Sequence, residues 1–195
     1  MSSPKQRITG FALAGGKSVR MGQDKGLLSV GGYPLIQLTV NLLKGLTDQI
    51  FILGPPEKYS FLEVPVLPDQ VASQGPLSAI YTALVSSKTR TNLFLACDMP
   101  LMQLEFMELL VERAVKVDAA LMRFDDGTLE PLCAIYNSSC LPWVKTNFED
   151  GKYRLSDLVG QLNVGYIGET DLRRLGLDRR IFTNLNTLND LEKLD

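Results

Sequence analysis

Histidine is absent from all 195 residues. Its absence excludes Ser-His-Asp and Cys-His nucleophile pairs, His-ligated zinc or haem, and an imidazole proton shuttle. Cysteine is scarce as well. Cys97, Cys133 and Cys140 form no C-x-x-C pair and are odd in number, which argues against a disulfide framework or a cysteine zinc site and for three buried thiols. Charge of one sign is also lacking: 20 Lys+Arg stand against 22 Asp+Glu, a net charge of −2, so no broad basic surface for nucleic acid is expected. No run reaches the ~18 uncharged apolar residues of a spanning helix. The opening MSSPKQR carries no signal-type apolar stretch, so the expectation is a soluble, cytoplasmic protein with no membrane partner. The chemistry left open uses carboxylates, Lys/Arg, hydroxyls, thiols, backbone groups or a hard metal ion.

What is present is an ordinary globular composition, 45% apolar and 22% charged. A chain of this length buries about 70% of its unfolded surface. No Pro/Gly/Ser-rich linker divides it, so one domain over residues 1–195 is expected. Apolar runs of strand length (8–14, 49–53, 65–67, 92–97, 119–123 and 131–136) alternate with amphipathic segments of helix length. This pattern predicts an α/β fold, a three-layer Rossmann-like arrangement with a mostly parallel sheet. In 34–46, Leu35, Leu38, Leu42 and Leu46 recur at helical spacing, and in 103–115 so do Leu104, Met107, Leu110, Val111 and Val115. Thr187 followed by Asp190 reads as a capping box opening a short terminal helix. Asp125-Asp126-Gly127 and Glu149-Asp150-Gly151-Lys152 read as turns.

The strongest signal follows the first strand. Gly15-Gly16 lets the backbone approach an anion, and Lys17, Arg20 and Lys25 place three positive charges within nine residues, a combination suited to a triphosphate. Gly16-Lys17-Ser18 suggests a phosphate-binding P-loop, but the glycine that motif needs five positions earlier is Phe11, and Gly10 is one residue too early. No G-x-G-x-x-G is formed either. The plainer alternative is a tight strand-to-helix turn with solvated charges.

Two carboxylates follow apolar strands. Asp98, in Ala96-Cys97-Asp98-Met99-Pro100, is placed to hold a hard cation over the first loop, or else to cap a helix or form a turn. Asp69, in Leu67-Pro68-Asp69-Gln70, precedes Gly75-Pro76-Leu77, which starts a helix, and reads equally as a solvated turn residue. Asn184 and Asn186 offer paired donors and acceptors, or turn chemistry before the terminal helix.

The stretch from Leu13 to Leu28, sixteen consecutive positions reading L-A-G-G-x-S-x-R-M-G-x-D-K-x-L-L, resembles the signature of the molybdenum cofactor guanylyltransferases. These are nucleotidyltransferases with a nucleotide-diphospho-sugar transferase-like fold. The resemblance implies that Leu13, Ala14 and Gly15, with Gly16 beside them, bind the nucleotide, and that Lys25 contacts its phosphates. It also implies that Asp98, in a C-D-x-P segment, binds Mg²⁺, and that Asp69 and Gly75 belong to the nucleotide site. The segments P-L-x-A-x-Y (131–136), R-L-x-D-L (154–158) and F-x-N-L-N-T (182–187) are similar to later family segments, the last implying that Asn184 and Asn186 hold a pterin partner. Many relatives have an asparagine at the end of the second strand, where this chain has Gly54.

The implied activity is transfer of GMP from GTP to the terminal phosphate of molybdopterin or Mo-molybdopterin, with loss of pyrophosphate. Asp98, Lys25 and Arg20 would be its catalytic groups, and other cofactor-biosynthesis proteins its partners. The alternatives are a cytidylyltransferase or other small-phosphate nucleotidyltransferase, and a nucleotide-binding module without turnover.

Overall fold

The computed structural model describes residues 7–14, 24–71, 75–185 and 190. Its strands are β1 (Ile8–Leu13), β2 (Ser29–Val30), β3 (Tyr33–Pro34), β4 (Gln49–Leu53), β5 (Val66–Leu67), β6 (Thr91–Ala96), β7 (Ala119–Arg123), β8 (Leu129–Asn137) and β9 (Val164–Ile167). The α-helices are α1 (Leu35–Lys44), α2 (Pro56–Tyr59), α3 (Pro76–Ser86), α4 (Leu104–Arg113), α5 (Leu141–Glu149), α6 (Leu155–Val159) and α7 (Glu169–Arg174). A seven-stranded sheet is ordered β5-β4-β1-β6-β8-β7-β9, while β2 and β3 form a separate hairpin. Only β8 runs against the others, pairing antiparallel with both β6 and β7.

Burial explains why β1 and β6 lie at the centre. Every residue of both strands is buried, as a parallel strand covered on two faces requires. Phe11 stacks between its register partners Phe51 on β4 and Phe94 on β6, at centroid distances of 5.6 and 5.2 Å. The chain steps one way along the sheet from β1 through α1 to β4, and the other way from β5 through α3 to β6. Right-handed crossovers therefore put α1 and α3 on opposite faces, giving three layers.

The helical faces differ in detail from the leucine spacing. In α1 the residues turned to the core are Leu35, Ile36, Thr39, Val40 and Leu43, whereas Leu38, Leu42 and Leu46 are only half-buried. Leu38 and Leu42 instead line a cavity of about 360 Å³ together with Leu95 of β6 and the Met99-Pro100 segment, which leaves them partly uncovered. In α4 the buried residues are Phe106, Met107 and Leu110, and Val115 falls outside the helix and is exposed.

One buried polar side chain fastens three elements. Asn137, at the end of β8, donates to the carbonyls of Ala114 (3.0 Å) and Val117 (2.8 Å) after α4, and accepts from the Thr91 hydroxyl of β6 (3.0 Å). The three thiols are buried and unpaired, as expected from their number and spacing. The terminal helix suggested by Thr187 and Asp190 lies largely outside the described residues.

Candidate active site

The site is built on the rim where the parallel strands end. Hydrogen bonding continues one residue past each strand: Ala14 N–H donates to Leu53 O (3.0 Å), Cys97 N–H to Leu13 O (3.1 Å) and Gly54 N–H to Leu67 O (3.1 Å). Ala14, Gly54 and Cys97 are thereby held side by side, each one residue past the end of β1, β4 and β6 respectively. Open α/β sheets bind ligands at this edge. Burial pushes the Cys97 thiol up to about 12, so it stays protonated and inert beneath the rim.

Lys25 and Asp98 meet across this gap. Lys25 Nζ lies 3.3 Å from Asp98 Oδ2, with only 23% and 22% of the two side chains exposed. The two residues that sequence alone suggests for phosphate and cation binding are therefore brought together from positions 73 residues apart.

Lys25 opens a single 3-10 turn, Lys25–Leu27, capped by Asp24, whose Oδ1 accepts from Gly26 N–H at 3.0 Å. The same carboxylate takes the Tyr59 hydroxyl at 2.6 Å and Lys58 Nζ at 2.7 Å. Burial acts to raise the Asp24 pKa, but the bonds from Lys58, Tyr59 and Gly26 outweigh it and the net shift is downward. Tyr59 is fully buried, and its hydroxyl also stands 3.0 Å from the Ala14 carbonyl oxygen. A Cβ at Gly54 would lie 3.0 Å from Tyr59 Cε2, and one at Gly26 would lie 2.9 Å from its hydroxyl. At Gly54, the position at which many relatives carry an asparagine, a side chain would therefore crowd the Tyr59 ring.

Asp69 follows β5 on the same rim and is exposed; the partial enclosure of its carboxyl raises its pKa. The next residue is fixed to α3, with Gln70 N–H donating to Thr82 Oγ1 at 3.0 Å. Gly75 begins α3 with φ of +80°, the left-handed region where a side chain would be strained, and nothing lies within 4 Å of the place a Cβ would take.

On the other side of Asp98, the Leu185 N–H donates to the Asp98 carbonyl at 2.8 Å, which brings Asn184 to the rim. Asn184 lines a cavity of about 330 Å³ with Phe124, Thr128, Glu130, Arg179, Phe182 and Thr183. The β6–β8 pairing ends at Leu95 and Cys133, and Glu130 lies further along β8 toward the rim, near enough for the Asp98 charge to act on it. Burial, with the Asp98 charge as a smaller cause, raises the Glu130 pKa against the lowering effect of its bond from Leu132 N–H. Arg179 covers the Phe124 ring at 4.2 Å and pairs with Asp126 at 2.8 Å.

Of the residues singled out from sequence, Leu13, Ala14, Lys25, Asp69, Gly75, Asp98 and Asn184 lie on this rim. Gly15, Gly16, Lys17, Arg20 and Asn186 lie outside the described residues. Sequence reasoning missed Tyr59, Lys58 and Glu130. Only Glu130 carried a signal, its position immediately before the P-L-x-A-x-Y strand.

The sequence matches the family described as MobA-like NTP transferase domain over residues 10–164. It is 36% identical to a probable molybdenum cofactor guanylyltransferase of Pelotomaculum thermopropionicum, over 96% of this chain and 91% of that one. It is 33% identical to the molybdenum cofactor guanylyltransferase of Syntrophotalea carbinolica, over 93% and 87%. The crystal structure of molybdopterin-guanine dinucleotide biosynthesis protein A from Archaeoglobus fulgidus superimposes with a TM-score of 0.79 at 25% identity, covering 95% of each chain. With the strand order, the rim and the Lys25–Asp98 pair in place, the chain belongs to the MobA-like NTP transferase family of nucleotidyltransferases.

Proposed function

We propose that the protein transfers GMP from GTP to the terminal phosphate of molybdopterin or Mo-molybdopterin, releasing pyrophosphate and forming the guanine dinucleotide. The observation that carries this reading is the Lys25–Asp98 pair, 3.3 Å apart between the ends of β1 and β6. It joins a phosphate-binding cation to a metal-binding carboxylate at one point on the rim. The similarity to proteins named for guanylyl transfer supports the choice of nucleotide. The whole chain, residues 1–195, is taken as one nucleotidyltransferase domain, a reading supported by the single sheet running from β5 to β9.

The acceptor is a phosphate oxygen, already anionic at neutral pH, so its attack needs no general base. It bonds to the α-phosphorus of GTP, the bond from that phosphorus to the β-phosphate oxygen breaks, and pyrophosphate departs. The protein's work is alignment and charge neutralisation. The backbone at Leu13, Ala14 and Gly15, with Gly16, receives the nucleotide; Asp69 and Gly75 border it; Lys25 and Arg20 neutralise phosphate charge. Asn184 and Asn186 hold the acceptor.

Asp98 offers a hard oxygen donor, and among the described residues no group of three His, Cys, Asp or Glu encloses a metal. A lone protein carboxylate completed by phosphate oxygens and water suits Mg²⁺, so Asp98 fits as its protein ligand. Bound there, Mg²⁺ would supply charge stabilisation at the phosphates.

Purified protein with Mg²⁺, GTP and molybdopterin should release pyrophosphate and yield the guanine dinucleotide; no product where a known guanylyltransferase works overturns the reading. Thermal shifts with GTP, CTP, ATP and UTP test the base. A ligand at ~100 times its dissociation constant stabilises by about 2.7 kcal/mol, and a larger shift with CTP replaces guanylyl by cytidylyl transfer. Gly54, with no side chain to meet a base, is the observation that keeps that second reading open.

A further inference from the structure

Tyr59 has no part in the chemistry above, yet its hydroxyl stands at the junction of the parts that do. Ala14 and Asp24 flank residues 15–23, and the one hydroxyl reaches both, at 3.0 Å and 2.6 Å. Asp24 is joined directly to Lys25, whose Nζ reaches Asp98. The ring is fully buried and received between Gly54 and Gly26, where an added Cβ would stand 3.0 Å and 2.9 Å from Tyr59 atoms. Such confinement is more than packing requires, because a phenylalanine would fill the same space. What the oxygen adds is one strong bond, donated to the Asp24 carboxylate beside the end of β1.

Resting on the assignment of Lys25 and Asp98 to nucleotide transfer, we propose that Tyr59 is a positioning residue. Its single proton goes to Asp24, the shorter contact and the charged acceptor, and through that bond it holds Lys25 at the phosphates, while the buried ring anchors the turn beside Ala14, on which the nucleotide rests. Lys25 sits on a flexible stem, and a misplacement of about 1 Å at a reacting centre can cost up to ~100-fold in rate. A hydroxyl that fixes the turn from which the stem rises therefore acts on turnover more than on folding.

The test is Tyr59→Phe, which keeps the ring, combined with Asp24→Asn in a double-mutant cycle. The steady-state release of pyrophosphate and the melting temperature are both followed. Tyr59→Phe should lower kcat/KM about ten-fold, mostly in kcat, as loss of positioning predicts. Its loss in melting temperature should be no greater than that of Tyr136→Phe, a second buried tyrosine whose hydroxyl bonds the Pro131 carbonyl. The double variant should be no slower than Asp24→Asn alone, since both act on Lys25 by one route. A kcat/KM within two-fold of wild type, or losses that multiply in the double variant, overturns the proposal while leaving guanylyl transfer standing. A wild type that binds GTP but releases no pyrophosphate overturns the transfer reading instead. Tyr59 is then judged by nucleotide affinity, expected about ten-fold weaker in Tyr59→Phe by the same positioning argument and overturned if equal. A wild type that binds no nucleoside triphosphate overturns both.

Discussion

A carboxylate and an ammonium 3.3 Å apart, each mostly covered, cannot keep the same partners when a triphosphate arrives. The phosphates compete for Lys25, and a dication competes for Asp98. The pair is thus a resting arrangement that stores both groups at the point of use and shields each from the cost of being alone. Asp98→Asn removes the charge at nearly constant shape and should lower kcat by at least ~100-fold, the scale seen when a preorganised electrostatic group is deleted. Its melting temperature should change little, and a pyrophosphate assay beside a thermal melt separates the two effects. Lys25→Met should weaken GTP binding as well as turnover, read by titration calorimetry. At this scale the site was half legible. Lys25 and Asp98 carry motifs, and Asp24 lies in the same signature as Lys25, whereas its partner Tyr59, 35 positions away, carries no local pattern.

Among the elements, Asn137 is the test of how β8 is held. Replacing it by alanine takes the amide donor from two carbonyls, those of Ala114 and Val117, in the interior. Two carbonyls without that donor should cost about 2 kcal/mol, seen as a lower midpoint in urea with the same slope. The loss should leave nucleotide affinity of the folded protein unchanged, since the residue lies at the end of β8 away from the rim. The strands β4 and β7 fall where the apolar runs predict, because each run is bounded by polar or turn residues. β9 was not legible: it is four residues long and contains Gly165, which a Cβ would drive to 2.9 Å from the Arg113 carbonyl oxygen of α4. Nor was the core face of α1, since leucine spacing alone cannot tell a sheet from a neighbouring loop segment. The Ile36, Thr39, Val40 and Leu43 stripe becomes evident only once the sheet is in place.

At the scale of the whole molecule, two carboxylates near the rim pull pH dependence in opposite directions. Asp24 has a lowered folded pKa, so its contribution to stability is present above its unfolded value of 3.8 and is lost as pH falls through the folded one. Glu130 has a raised folded pKa, so the folded state binds the extra proton. Stability declines as pH rises from the unfolded value of 4.5 through the folded value, and the penalty is complete above it. Glu130→Gln keeps an acceptor for the Leu132 N–H while removing the charge. Its melting temperature should exceed that of wild type by about 2 °C at pH 7, a shift worth under ~1 kcal/mol for a chain of this length. The advantage should vanish below pH 4. Melts between pH 3 and 8 for both proteins check this, and equal curves would mean the carboxyl is not destabilised by folding.

The reversed direction of β8 also fixes an order of events during synthesis. By Met99 the ribosome has made β5, β4, β1 and β6 in full, four parallel strands that can pair among themselves. Their outer edge is then β6, Thr91–Ala96, six residues that are all buried in the finished protein. The strand that covers this edge is not the next one made. β7 is translated first, but pairs with β8 and β9, and β8 begins only at Leu129. From Met99 until Asn137 completes the stretch of β8 that pairs with β6, the nascent chain therefore carries an open, apolar strand edge of the kind that recruits other chains. A fragment ending at Met99 should aggregate when expressed alone and be rescued by co-expression of the remainder.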